Sequence, residues 1–277
     1  MVLNNKLILN SQKFAFHLVE PSPWPILMSF SLLNLTIGAV LFMHGYPYGS
    51  SVLILGFVLT LFGMGLWFRD VIIEAAYQGH HTKQVQKGIN IGIILFIISE
   101  IFVFLSVFWA YFHSSLSPSI EIGANWPPLG ITALEPFGIP LLNTFLLLSS
   151  GAFITYGHHA ILNGNRKDAI DGIIFTLILA VIFTLLQGFE YSNASFTMAD
   201  GVFGSVFYAS TGLHGLHVIV GTIFILISFF RLINYHFTIY HHVGFESGLL
   251  YWHFVDVVWL FLFLCVYFWG GYTPFIS

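Results

Sequence analysis

The chain has 277 residues, of which 57% are apolar and 7% are charged, and its formal net charge is −4. Soluble domains carry about a quarter charged residues, so this composition excludes a water-soluble fold that covers its own surface. The charge balance gives no indication of nucleic-acid binding. The single cysteine, Cys265, excludes an internal disulfide and a cysteine-based metal cluster within the chain.

Seven apolar stretches follow one another, and each is long enough to cross a bilayer, which takes about 17 to 25 residues. Strands do not account for such runs, because an open sheet cannot satisfy its backbone hydrogen bonds in lipid. The sequence therefore predicts an all-α membrane protein with seven transmembrane helices. The predicted spans are Ile26–Met43, Val52–Phe68, Ile89–Phe112, Ile139–Leu162, Ala169–Phe189, Val202–Phe230 and Gly248–Trp269.

The connection Arg69–Gly88 divides the predicted helices into two groups. It begins as a continuation of the second helix and breaks at Gly79, because glycine ends helical runs. We therefore expect an N-terminal part, residues 1–78, with the first two helices, and a five-helix bundle in residues 79–277.

The charged residues predict the orientation of the chain. When seven spans are threaded through the bilayer, the loops on one side hold only acidic residues, namely Glu121, Glu135, Glu190 and Asp200. All lysines and arginines fall on the opposite side, which is the positive-inside pattern, so the N-terminus is expected inside and Ser277 outside. The basic residues are Lys6, Lys13, Arg69, Lys83, Lys87, Arg166, Lys167 and Arg231.

Glu100 lies near the middle of the third predicted helix. An isolated carboxylate is costly to ionise at that depth, so we expect the group to be protonated. Two roles are open from the residues alone. The acid either forms a hydrogen bond to a neighbouring helix, or it belongs to a proton-handling or ligand-linked site.

The seventh predicted helix carries His253 and Asp256 three residues apart, so the two side chains share a face and can pair. Trp252 and Trp259 follow the same helical stripe as Asp256. We favour an interhelical polar clamp over a proton relay. Polar groups between membrane helices contribute only about 0.6–2 kcal/mol each.

The sixth predicted helix has His214 and His217 one turn apart, a spacing that suits a metal on one helix face. Haem instead needs axial ligands from opposing sides. We favour structural histidines, with a metal or haem site as the alternative. Thr211 and Gly215 form a small-residue pair, which predicts close helix packing.

Histidines and one arginine also lie near the inner surface. Arg231 and His236 end the sixth helix, where a basic residue fits both the topology and an anionic lipid head. The pairs His80-His81 and His241-His242 are not expected to chelate a metal, because adjacent side chains point in different directions. The chain has no phosphate-binding loop, nucleophile elbow or His-Glu-x-x-His motif, so no catalytic residue and no metal site are predicted.

Nine short motifs in order resemble subunit III of cytochrome c oxidase, from near residue 14 to the end of the chain. Single motifs of this length are weak, whereas nine in order across the chain are specific. They are HLVEPSPWP at 17–25, RDVI at 69–72, YQGHHT at 77–82, IISE at 97–100, FWA at 108–110, NWPP at 125–128, PLLNT at 140–144, GLHGLHV at 212–218 and WHFVDVVW at 252–259.

The resemblance implies a non-redox subunit of the mitochondrial inner membrane, with its N-terminus in the matrix and its C-terminus in the intermembrane space. The first two helices would lean away from the other five and leave a cleft that holds phospholipids. Haem and copper would lie in partner subunits, and this chain would bind none. The implied partners are subunits I and II, small accessory subunits and other respiratory complexes, in an oxidase that moves electrons from cytochrome c to oxygen and pumps protons.

The resemblance also assigns roles to single positions. Glu74, His81, Arg231 and His236 match residues that meet lipid headgroups in the family, and Glu100 matches its buried carboxylate. The residue before Glu74 departs from the family pattern. Animal relatives have an arginine just before the glutamate, whereas this chain has Ile73.

Two other functions remain as alternatives to an oxidase subunit. A proton-coupled transporter would use Glu100, His253 and Asp256. A membrane cytochrome would ligate haem through histidines and would show a visible absorption spectrum.

Overall fold

The structure is a computed structural model that describes residues 14–271. Within that range the secondary structure is helical, with one isolated β-bridge between Thr238 and His241 and no named strand. A short 3-10 helix covers Ile120–Ile122, and a π-helix covers Phe263–Trp269. The seven α-helices are α1 Trp24–Met43, α2 Gly49–Ala76, α3 Lys83–Leu116, α4 Ile139–Leu162, α5 Arg166–Asn193, α6 Val202–Ile233 and α7 Val243–Leu262.

Seven helices in the described part of the chain are long and apolar enough to cross a membrane, the seventh including the π-helix. This confirms the predicted all-α class and the number of spans. Several helices are longer than the apolar runs that predicted them. At about 1.5 Å per residue, the 34 residues of α3 reach well beyond a hydrocarbon core of about 30 Å.

The break after α2 occurs as the sequence predicts. The helix continues to Ala76, and Gly79 then adopts a φ of +69°, a conformation that glycine reaches without steric strain. The chain divides into two compact units between Ile89 and Asn90. The first unit contains α1 and α2, and the second contains α4 to α7. The predicted boundary after residue 78 and the lipid-holding cleft stay predictions, as does the orientation of the termini, because Lys6, Lys13 and Ser277 lie outside the described residues.

Glycines allow α1 and α2 to approach each other closely. On α2, Gly49, Gly56 and Gly63 recur every seven residues and are buried. A Cβ added at Gly56 would lie 2.5 Å from the backbone nitrogen of Leu35, and one at Gly38 of α1 would lie 2.5 Å from that of Leu53. The two backbones are therefore in contact, which is how membrane helices gain packing energy without a hydrophobic driving force.

The second unit is built around α7. Trp252 and Trp259 are fully buried, and the Trp259 ring packs edge-on against Phe183 of α5. After Leu262 the helix widens into the π-helix, which buries Tyr267. Many other large apolar side chains of the unit are exposed, as expected of surfaces that face lipid.

The sequence-based expectation of close packing at Thr211 and Gly215 is only partly met. Thr211 is buried, but a Cβ added at Gly215 would meet no atom within 4 Å. The close approach of α6 to another helix lies at Gly221 instead, where the added Cβ would be 2.9 Å from the Trp252 ring of α7. The small-residue pattern therefore predicted close packing on the correct helix but at the wrong position along it.

Replacing Gly56 with alanine should destabilise the α1–α2 pair by about 1–3 kcal/mol, because the new methyl group would meet backbone that cannot move aside. Gly65 of the same helix is the matched control, since its Cβ would enter open space. Unfolding free energies in detergent micelles measure both variants. Equal stability of Gly56→Ala and Gly65→Ala would contradict the close backbone contact.

Candidate functional site

Glu100 and His217 form an ion pair or hydrogen bond near the middle of the membrane helices. Each residue lies midway along its own helix, Glu100 on α3 and His217 on α6. The Glu100 Oε2 and His217 Nε2 atoms are 2.8 Å apart. The carboxylate that the sequence singles out is thus paired, and its partner is one of the two histidines predicted on α6.

The hydrogen bonds of His217 determine where its proton lies. The Nδ1 atom is 2.8 Å from the carbonyl oxygen of Leu213, and a carbonyl oxygen can only accept, so Nδ1 carries a hydrogen. One further proton is then required between Nε2 and Glu100. Either a protonated Glu100 donates to the imidazole, or an imidazolium donates to the carboxylate. The two states differ by the position of one proton along a single hydrogen bond.

Aromatic rings surround this pair. The Phe104 ring contacts His217 edge-on at a centroid distance of 4.9 Å, and Tyr251 and Phe254 lie 6.3 Å from it. His217 is almost fully buried, and Glu100 keeps 20% of its side chain exposed. The environment has few polar groups to screen the pair, so the shared proton is held by a strong local interaction.

His214 lies one turn before His217 but points to a different helix. Its Nε2 donates to the carbonyl oxygen of Val255 on α7, at 3.2 Å. The imidazole is buried against Phe183 and Trp259. His214 therefore connects α6 to α7, and His217 connects α6 to α3.

Indole groups of α7 donate hydrogen bonds to hydroxyl groups of α4. The Trp252 Nε1 is 2.9 Å from Ser150 Oγ, and the Trp259 Nε1 is 2.9 Å from Thr144 Oγ1. Each hydroxyl in turn donates a hydrogen bond to a backbone carbonyl oxygen of the preceding turn of α4. These contacts satisfy both buried indoles and hold the two helices in one register.

His253 and Asp256 also lie between α4 and α7. The Asp256 Oδ2 is 3.7 Å from His253 Nδ1, so the predicted pairing on one face of α7 is present. The Thr155 hydroxyl donates to the Gly151 carbonyl, so the His253 Nε2, 3.0 Å away, is the donor to Thr155. The geometry is that of a clamp between two helices.

One buried polar network was missed by the sequence analysis. Glu190 was assigned to an outer loop, but it lies within α5 and is buried. The Tyr267 hydroxyl donates to Glu190 Oε1 at 2.6 Å, and Gln187 Nε2 lies 3.2 Å from the same oxygen. Gln187 also accepts from Asn143 of α4. The signal in the sequence was the three-residue spacing of Gln187 and Glu190 inside an apolar run, which places both on one helix face.

Basic residues gather at one end of the second unit, where α4 and α6 end and α5 and α7 begin. The Arg166 guanidinium donates to the carbonyl oxygen of Ile233 at 2.8 Å, which joins the start of α5 to the end of α6. Arg231 is partly buried with its guanidinium 4.5 Å from the Phe237 ring. Its Nε atom has no hydrogen-bond partner among residues 14–271.

The Arg231 charge acts on two histidines of the loop between α6 and α7. Burial lowers the pKa of His236, and the nearby positive charge of Arg231 lowers it further. Burial and then Arg231 lower the pKa of His241 in the same way. The structure therefore brings together Arg231 and His236, two of the four residues predicted to meet lipid headgroups.

The other two predicted headgroup residues, Glu74 and His81, lie together in the first unit. With His17 they form a group whose ligand atoms are all within 4.8 Å of one another. The His17 Nδ1 is 3.7 Å from Glu74 Oε2, and the His17 ring stacks on His80 at 4.6 Å. Close by in sequence, Trp24 Nε1 donates to Asp70 at 2.6 Å and holds the start of α1 against α2.

The described fold is that of a seven-helix membrane protein whose buried polar side chains are paired between helices. The family model for cytochrome c oxidase subunit III matches residues 14–271. The chain belongs to the cytochrome c oxidase subunit III family.

Curated relatives named cytochrome c oxidase subunit 3 agree with this assignment over most of their length. The protein of Schizophyllum commune is 60% identical over 260 residues, which cover 94% of this chain and 97% of the relative. That of Mycosarcoma maydis is 61% identical over 92% of this chain and 95% of the relative. That of Prototheca wickerhamii is 56% identical over 94% of this chain and 99% of the relative. The match implied by the nine motifs is thus confirmed.

Replacing Glu100 and His217 with glutamine, singly and together, should reveal a coupling free energy of about 0.6–1.7 kcal/mol, because the two side chains share one hydrogen bond. The measurement is a double-mutant cycle of unfolding free energies in micelles. A cycle between Glu100 and the exposed His113, about 20 Å along the same helix, is the control and should be additive. Equal coupling in both cycles would contradict the pair.

Replacing Arg231 with methionine should raise the pKa of His241 and His236, because a nearby positive charge disfavours the imidazolium. With the pKa lowered, the unfolded chain binds more protons than the fold, so stability falls as the pH drops through about 6.5. Arg231→Met should weaken this dependence, and Arg231→Lys should retain it. The pH dependence of hydrogen exchange at the imidazole C2 position measures each pKa, and an unchanged His241 value in Arg231→Met would refute the effect.

Proposed function

We propose that this chain is a non-redox core subunit of a mitochondrial cytochrome c oxidase, and that it stabilises the catalytic subunits and holds structural phospholipids. Membership in the family makes it a subunit of this respiratory oxidase in the inner membrane. The oxidase transfers electrons from cytochrome c to oxygen and couples the transfer to proton pumping. In our proposal, haem and copper are bound by the partner subunits I and II.

The observation that carries the supporting role is how the polar groups of the second unit are used. Three histidines within the membrane helices, which could have bound a redox group or a transported ion, are instead bonded to neighbouring helices. His214 donates to a backbone carbonyl, His217 is bonded to Glu100, and His253 to Thr155. Such contacts make a bundle rigid, which suits a protein whose work is to hold a neighbour in place.

The observation that carries lipid binding is the state of Arg231. Its guanidinium is partly buried, its Nε has no hydrogen-bond partner in the described residues, and none of the ion pairs there involves it. A buried guanidinium is costly without an anion, and a phosphate group fits its planar donors in a bidentate way. At the end of a membrane helix, a phospholipid headgroup supplies that phosphate.

In this proposal Glu100 and His217 share one proton, which can move between the two side chains. Moving the shared proton changes the charge of the two side chains but not the net charge of the pair. The pair can therefore respond to a charge change in a neighbouring subunit without exchanging a proton with water. It acts on the oxidase electrostatically, and the transport path lies in the partner.

Replacing Arg231 with glutamine should remove about one tightly held phospholipid from the purified oxidase, because the phosphate loses its bidentate donor. Lys167→Gln is the matched control, since Lys167 is exposed at the same end of the bundle. Native mass spectrometry of the complex, with haem absorbance per subunit, measures retained lipid and assembly together. A chain that purifies alone as a stable functional monomer would refute the subunit role, and unchanged lipid in Arg231→Gln would refute the binding site.

A further inference from the structure

Three potential metal ligands converge at the basic end of the second unit. His158 lies near the end of α4, His242 directly precedes α7, and Glu246 lies in the first turn of α7. The His158 and His242 Nε2 atoms are 3.3 Å apart, and the His242 Nε2 is 3.2 Å from Glu246 Oε1. The three atoms form a triangle, and its third side, from His158 Nε2 to Glu246 Oε1, measures 3.9 Å.

The hydrogen bonding of His242 leaves a lone pair directed at this group. Its Nδ1 is 3.0 Å from the carbonyl oxygen of Thr238, which can only accept, so Nδ1 carries the hydrogen. The neutral imidazole then presents an unprotonated Nε2 to the Glu246 carboxylate. Two electron-rich atoms at 3.2 Å repel each other unless a proton or a cation lies between them.

The loop before α7 fixes this orientation. Thr238 and His241 exchange backbone hydrogen bonds of 3.1 and 3.2 Å, which close a tight turn and aim the Thr238 carbonyl at His242. A metal-bound histidine characteristically donates its second ring nitrogen to a carbonyl or carboxylate in this way. A backbone carbonyl therefore orients His242 as it would orient a metal ligand.

The spacing fits a tetrahedral cation. With metal–nitrogen bonds of about 2.0–2.1 Å, ligand atoms at the tetrahedral angle lie about 3.3–3.4 Å apart. Two edges of the triangle match this separation, and the third needs a shift of about half an ångström at the Glu246 carboxylate. That carboxylate is the most exposed of the three side chains, at 39%, whereas His242 is buried at 5%. The open side leaves room for a water ligand.

The local charge suits a divalent ion. Two neutral imidazoles and one carboxylate supply a single negative charge, and the groups that act on His158 are His242, His159 and Glu246. Arg231 acts on His241 and His236, whose rings are not among the three ligands. Two imidazoles with one carboxylate are a donor set that first-row metals, zinc in particular, prefer over magnesium or calcium.

We propose that His158, His242 and Glu246 bind a divalent transition-metal ion of the zinc class, with water in the fourth position. The ion would join the end of α4 to the start of α7 at the membrane surface. This site departs from the sequence-based expectation of no metal. Adjacent His241 and His242 do not chelate together, but the fold supplies the partners of His242 from another helix and from the next turn.

Zinc binding to the intact oxidase tests the site. After the complex is treated with a chelator, equilibrium dialysis against Zn²⁺ alone should show one more bound equivalent in the wild type than in Glu246→Gln or His158→Gln, or at least a tenfold weaker affinity in the variants. Because wild type and variants are compared, zinc bound elsewhere in the complex contributes equally to both and cancels. His159→Gln is the matched control, because its ring lies 6.1 Å from that of His158 and outside the ligand set. It should bind zinc as the wild type does.

The same stoichiometry and affinity in all four proteins would overturn the proposal and would leave a proton between His242 and Glu246. A second measurement covers variants that fail to assemble. In the wild-type complex, Zn²⁺ should slow the modification of His158 by diethyl pyrocarbonate at least severalfold, as read by mass spectrometry, while the exposed His113 reacts unchanged. Equal rates at His158 with and without Zn²⁺ would also overturn the site.

Discussion

In a bilayer a polar side chain must find its partner inside the protein, and this constraint organises the second unit. The indoles of Trp252 and Trp259 donate to α4 hydroxyls, so the rotation and depth of α7 are determined by α4. With α7 in place, the carbonyl of Val255 is available to His214. That bond orients α6, and His217 then meets the carboxylate of α3. Polar contacts thus connect α4, α7, α6 and α3 in series.

The two units solve the packing problem in different ways. In the first, glycines at seven-residue intervals let α1 and α2 touch through their backbones, and most of their large side chains remain outside. In the second, aromatic rings fill the space between helices and hydrogen bonds specify their register. Backbone contact supplies dispersion energy with little orientation beyond the groove itself, whereas directed hydrogen bonds select one arrangement.

Local patterns in the sequence predicted what depends on local distance. The seven helices follow from apolar run length, and the pairing of His253 with Asp256 follows from a three-residue spacing. Contacts between distant parts of the chain were beyond such reasoning. Glu100 and His217 are 117 residues apart, so the carboxylate could be singled out but its partner could not. The prediction placed Glu190 in a loop because its side chain is charged, but the helix continues to Asn193.

The direction of the side chains after α7 depends on the exact number of residues in the π-helix Phe263–Trp269. In a π-helix each turn holds more residues than an α-helical turn, so the side chains after it are rotated relative to a straight continuation. Tyr267 reaches Glu190 from this widened turn. Loss of a single residue there would rotate the following side chains by about 100° and aim the phenol toward lipid. The π-helix is therefore intolerant of the loss of a single residue before Tyr267.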